Sequence, residues 1–227
     1  MSKSSTLNRK LVIFTTVIVM LMLGLFLMTN SQKAAQTVAV DNQKEFENQP
    51  FWGNADAPVT IVELGDYKCP SCKYWTENIF PQLKQDFLDS GKAKLVYVNV
   101  LFHGEESTLA SLAAESVFAQ DPEAYKVFHK EVYAKQPEQT NHDSNWVTKE
   151  VLLDIAKTHT PSIDLKKLEQ DIDNQTAKPQ LEIDNTLVEK FKVEKTPTVV
   201  VNGTILEDPF DYDMITSLVN KALEGKK

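Results

Sequence analysis

Hydrophobic and polar residues change their spacing several times along the chain, and each change marks an element. Residues 11–28, LVIFTTVIVMLMLGLFLM, form an unbroken uncharged run. As a helix rising about 1.5 Å per residue it spans roughly 27 Å, close to the thickness of a bilayer core. Residues 29–49 are polar and aperiodic, which predicts a linker. FWGNADAP then leads into the first dense segment as a turn-rich stretch. VTIVELGDY, residues 59–67, is β-branched and predicts a strand. Residues 70–89 set Tyr74, Trp75, Ile79, Leu83, Phe87 and Leu88 at helical spacing. Pro81 predicts a kink in that helix and Gly91 its end. KLVYVNVLF, residues 94–102, predicts a second strand. Strand, helix, strand implies at least one parallel pair in the sheet.

Residues 105–192 read as almost wholly helical. One run starts at a Ser107 or Thr108 cap and ends near Ala119. Another starts at Asp121-Pro122, a cap followed by proline at the first helical position, and reaches about Lys135. Three more lie near 147–158, 164–173 and 179–191. KTPTVVVNGTIL, residues 195–206, then predicts a strand with a hairpin turn at Asn202-Gly203. DYDMITSLVNKALEG closes the chain as an amphipathic helix capped by Asp211 or Asp213. The helical block is too long for a single crossover. It is expected as an all-helical insertion, about 105–192, in one α/β domain occupying 50–227.

Charge adds orientation. Lys3, Arg9 and Lys10 precede the apolar run, and Lys33 stands alone in the flank after it. This asymmetry places residues 1–10 in the cytoplasm, makes 11–28 a transmembrane signal-anchor, and exports the rest. A cleaved signal peptide is the rival, but its apolar core is usually about 7–15 residues and ends at a small-x-small site, which is lacking here. No cysteine follows the run, so a lipoprotein anchor is excluded. The net charge of −8 argues against a nucleic-acid surface, which needs a basic stripe.

The candidate chemistry lies in ELGDYKCPSCKYW, residues 63–75, which holds the chain's two cysteines, Cys69 and Cys72. A structural disulfide across so short a loop gives only about 1.9 kcal/mol by the chain-entropy estimate. Structural zinc needs four ligands, and His103, His129, His142 and His159 are not spaced to supply them. A reactive pair remains. Cys69 sits where strand gives way to helix, with Pro70 at the first helical position. The helix dipole and the free N–H groups there favour its thiolate. Cys72, one turn on, is the expected buried partner. Lys68 and Lys73 flank the pair and are expected to be solvated. Tyr67, Tyr74 and Trp75 form either a rim around the pair or, the favoured reading, core packing. Asp171, Asp173, Glu182 and Asp184 form a candidate hard-cation cluster that is more simply a set of negative helix faces. No metal is assigned.

CPSC after a strand, with Thr196-Pro197 before a later one, resembles the thioredoxin fold. Together with the helical insertion and the export signal, FWGNADAPVTIVELGDYKCPSC is similar to the DsbA-like thiol oxidases, in particular their membrane-anchored BdbD type. The resemblance covers about residues 50–225. It implies Cys69 as the nucleophilic, exposed cysteine and Cys72 as the resolving one. It implies Pro197 as a cis-proline facing the disulfide, with Thr196, Pro70 and Ser71 lining the substrate path. Glu63 would be a buried carboxylate beneath the pair. The plain alternatives are a Glu63 that points to solvent from an edge strand and a trans Pro197 that merely begins a strand. The family implies disulfide formation in exported proteins with free thiols, reoxidation by a quinone-linked membrane oxidoreductase, and no bound cofactor. Ser71 departs from the strongest oxidases, which carry a histidine there. That departure keeps an exported reductase or isomerase in view, and a non-redox tethered chaperone module is the alternative of a different class.

Overall fold

The computed structural model describes residues 13–22, 37–39, 45–137 and 144–225. Two compact units divide the chain at Gln36 and Thr37. In the first, residues 13–22 are helical and expose Ile13, Phe14 and Met20. Among the described residues no helix is long and apolar enough to cross a membrane. Residues 11–12 and 23–28 of the expected anchor lie outside the described residues.

The second unit is built on a five-stranded sheet. At its centre is β2 (Val59–Gly65), parallel to β3 (Ala93–Asn99) and antiparallel to β4 (Thr198–Val201). β1 (Phe51–Gly53) adds antiparallel to the far side of β3, and β5 (Thr204–Ile205) antiparallel to β4. All seven residues of β2 are buried, because both faces of the sheet are covered. Val59 and Ile61 face one core, and Val62 and Leu64 face the other with Val96, Val98 and Val200. By this alternation Glu63 shares its face with Ile61.

α1 (Pro70–Asn78) takes Cys69 as its N-cap and Pro70 as its first residue. It breaks at Ile79 because Pro81 has no N–H to continue the ladder. A short α2 (Phe80–Leu83) and a π turn, Lys84–Leu88, complete the run. Gly91, at φ +69°, reverses the chain into β3. Five helices follow: α3 (Glu105–Gln120), α4 (Pro122–Lys135), α5 (Lys149–His159), α6 (Leu165–Asp173) and α7 (Lys178–Lys190). Asp121 caps α4 by accepting from the N–H groups of Glu123 and Ala124. The N-cap of α3 is Gly104, ahead of the expected Ser107 or Thr108. The helices share one core with the sheet: Tyr125, Phe128 and Val132 of α4 pack with Ile61 and Leu95. The insertion is therefore part of the domain's interior. α8 (Tyr212–Glu224) closes the fold with Asp211 accepting from Met214 N–H at 2.8 Å.

Two features differ from the sequence reading. Phe51–Gly53, expected as turn, is a strand that brings Trp52 into the core. The end of the expected linker is packed: Phe46 and Gln49 are buried, Glu45 pairs with Lys190, and Thr37 bridges Thr204. Polarity concealed this, because a single aromatic holds an otherwise charged segment.

Candidate active site

Both cysteines are free thiols at the start of α1, and Cys69, expected to be exposed, is itself buried at 7% exposure, with Cys72 at 0%. The site sits where the C-terminal ends of the parallel strands β2 and β3 open. Cys69 is pulled down from 9.0 to about 5. The Cys72 thiol beside it is the largest cause. Burial opposes the shift, and Thr196 with the N–H groups of Cys72 and Ser71 adds to it. The Cys72 thiol, with a smaller contribution from the helix-start amides, thus lowers Cys69 without an imidazole at position 71. Cys72 moves the other way, well above the usual thiol range, because burial and the neighbouring Cys69 disfavour its charge. Two like groups one turn apart have become a stable thiolate and a reluctant one.

The Thr196-Pro197 peptide is cis. As a thiol, Cys69 donates to the Thr196 carbonyl at 3.4 Å, which places this loop against the reactive sulfur. Pro197 is buried, Thr196 and Pro70 are half-buried and Ser71 is exposed. Tyr67 and Trp75 belong to the core, whereas Tyr74 is exposed and meets the Phe210 ring at 5.6 Å.

Glu63 lies on the central strand, between Tyr97 and Val199, at 1% exposure. Burial, with Cys69 nearby, pushes its carboxyl well above the ordinary 4.5. Its Oε1 finds no hydrogen-bond partner among the described residues. Glu63 lines a cleft of about 410 Å³ together with Trp52, Phe80, Leu95 and Tyr133. Around it stands a cage of rings. Tyr97 and Tyr133 share a hydrogen bond of 2.8 Å, and Tyr67 meets His129 Nδ1 at 2.9 Å. Burial holds His129 down at about 3, so it is neutral.

Other expected groups are placed differently. Lys68 and Lys73 are not solvated: Lys68 is buried and pairs with Glu106, and Lys73 donates to the Gln136 carbonyl at 2.8 Å. The acidic cluster does not assemble. Asp171 pairs with Lys167 and Asp173 with Lys149, and Asp184 is buried elsewhere. Among the described residues no group of three or more His, Cys, Asp or Glu side chains could hold a metal ion; His142 lies outside them. Asp184 instead joins Glu115 through Asn99, whose side-chain N–H groups reach both carboxylates at 2.8 Å, and accepts from Gln49 at 2.7 Å. Burial raises Glu115 to about 8 and Asp184 to about 6. These two carboxylates and two amides are the oxygen set that could hold a hard cation.

Sequence reasoning passed over Asp66 and Gln136. Asp66 is fully buried and accepts from Lys68 N–H at 2.8 Å, an Asx turn that D-Y-K before the cysteines signals. Gln136 donates to the carbonyls of Tyr67 and Cys69. It ends α4, far off in sequence, and no local pattern marks it.

Comparison with known proteins agrees with this geometry. The Thioredoxin family profile matches residues 44–221. Disulfide bond formation protein D of Bacillus subtilis is 43% identical over 188 residues, which cover 83% of this chain and 83% of that protein. The crystal structure of oxidised BdbD from Bacillus subtilis superposes with a TM-score of 0.76 at 40% identity, covering 84% of this chain and 98% of that one. DsbA of Chlamydia trachomatis superposes at 0.68 with 29% identity, covering 78% and 92%.

Proposed function

The chain belongs to the thioredoxin family, and on that premise we propose that it is a protein disulfide oxidase acting through Cys69 and Cys72. The observation that carries the reading is the opposite displacement of the two thiols, Cys69 down to about 5 and Cys72 up. A stable Cys69 thiolate favours the reduced enzyme, and so makes the oxidised pair a good electron acceptor.

A substrate thiolate attacks Cys69 Sγ of the oxidised pair. The bond between the two cysteines breaks, and its electron pair goes to Cys72 Sγ. A second substrate thiol then attacks the mixed disulfide and releases Cys69 as the thiolate. The substrate loses two electrons and the enzyme gains them. Cys72 requires a proton on opening, and Glu63, a carboxyl held above its usual range beneath the pair, is suited to give it. On this reading the proton returns to Glu63 through the cleft that this residue lines. Thr196 and cis-Pro197 flank the path by which an extended substrate reaches Cys69.

The substrates of this reading are exported proteins with free thiols. Residues 11–28 tether the domain on the outer side of the cell membrane, supported by the basic flank before the run and by the helical, apolar 13–22. Turnover requires reoxidation, and a quinone-linked membrane oxidoreductase beside such a tether meets that need.

The test is the reduction potential of the Cys69–Cys72 couple with oxidation of a reduced, unfolded protein. A value near −120 mV with substrate oxidation supports the oxidase, whereas a value near thioredoxin's, about −270 mV, refutes it. Protease treatment of intact protoplasts tests the location. The domain is degraded if it lies outside and protected if it does not.

A further inference from the structure

We infer that Asp66 is a positioning residue whose side chain fixes the loop so that its own backbone N–H points at Cys72 Sγ, the sulfur that must leave. The inference rests on the oxidase reading. When a substrate thiolate forms its bond to Cys69 Sγ, the electron pair of the broken disulfide collects on Cys72, a sulfur with no solvent exposure. Asp66 N–H lies 3.4 Å from it and is the group that favours its charged form against burial.

The peptide unit that carries this N–H is clamped at both ends. Its carbonyl, on Gly65, accepts from Val100 N–H at 2.8 Å, and its N–H faces Cys72. The Asp66 side chain then ties the adjoining Cα to three segments. Oδ1 accepts from Lys68 N–H within the loop. Oδ2 accepts from Phe102 N–H at 3.0 Å and His103 N–H at 3.3 Å, and it lies 2.8 Å from His103 Nδ1. Ser107 Oγ, in the first turn of α3, reaches both carboxylate oxygens at 2.8 and 2.9 Å. β2 and β3 run parallel, so the connections after them meet at one edge of the sheet. Asp66 joins those two connections. A simple turn-former would need its contacts only within its own loop. This carboxylate is braced from outside the loop, by the connection before α3 and by α3 itself.

Asp66→Asn sets an NH2 group against the donors on Oδ2 and loosens the brace without changing its size. The readout separates the two chemical steps under single-turnover conditions with a reduced dithiol peptide. Disulfide opening, in which Cys72 leaves, is expected to slow about tenfold, the effect of losing one hydrogen bond to a charged group. The second step, in which Cys69 leaves, keeps its rate, and Cys69 still titrates near 5. Opening at the wild-type rate overturns the inference. So does a Cys69 titration displaced as far as the opening is slowed, since a general loosening of the loop would move both. If Asp66→Asn does not fold, Ser107→Ala and His103→Leu each remove one side-chain donor. They should slow opening in the same selective way by a smaller factor, and no slowing in either overturns the inference. The oxidase reading itself fails on the reduction potential, which this experiment does not use.

Discussion

Replacing Cys72 with alanine should raise the titration of Cys69, and the geometry sets the size of the change. Cys69 stands at about 5 against 9.0 for an ordinary thiol, and the Cys72 thiol is the largest cause. At pH 7 that displacement favours the reduced protein by about 3 kcal/mol, which makes the couple about 60 mV more oxidising. A hydrogen bond to a charged group is worth about 1.5–3 kcal/mol, so losing the Cys72 donor should raise Cys69 by about 1–2 pH units. Burial at 7% exposure leaves little solvent screening to dilute the effect. The ultraviolet absorbance of the thiolate, followed against pH in Cys72→Ala, reads the midpoint directly. The initial rate of alkylation gives an independent check. At pH 6 the thiolate fraction should fall from about 90% to about a quarter for a midpoint near 6.5. A midpoint still at about 5 would refute the reasoning and assign the whole effect to the amides at the start of α1.

Three further expectations follow from buried groups. Glu63 is raised above its unfolded value, so the native state holds a proton that the unfolded state releases; stability should decline as pH rises above about 4.5. Urea midpoints across pH should show a shallower decline for Glu63→Gln, and stopped-flow assays should show slower substrate oxidation. His129 is depressed to about 3 against 6.5, so its contribution is present above about 6.5 and is lost as pH falls toward 3. His129→Gln should therefore lose less stability on acidification, and an unchanged acid limb would contradict the neutral imidazole. Gly65→Ala would put a Cβ 2.8 Å from the Tyr97 ring and 3.0 Å from its hydroxyl; a loss of about 1–3 kcal/mol in chemical denaturation is expected.

The elements legible in the sequence were those with a local signal. The β-branched run of β2, the Asp121-Pro122 cap, the Asn202-Gly203 turn and the strand-to-helix junction at Cys69 all declare themselves within a few residues. β1 was missed because three residues carry no period and exist as a strand only through pairing with β3. Lys68 was misread because its partner, Glu106, is distant in the chain. At the site, the cysteines could be named from their spacing, and Glu63 through the family resemblance that the cysteine motif carries. The cleft under Glu63 could not, since Trp52, Phe80 and Tyr133 meet only after the insertion folds against the sheet.

The sheet ends in very short strands, three residues in β1 and two in β5, and Thr37 and Val38 bond to the β5 hairpin. A long free edge would offer its amides and carbonyls to any extended chain nearby. An enzyme that oxidises unfolded clients meets such chains at every turnover. Its edges give them almost no ladder to extend, so that under the proposed function the cis-proline loop beside the sulfur is left as the place for a client to engage and depart.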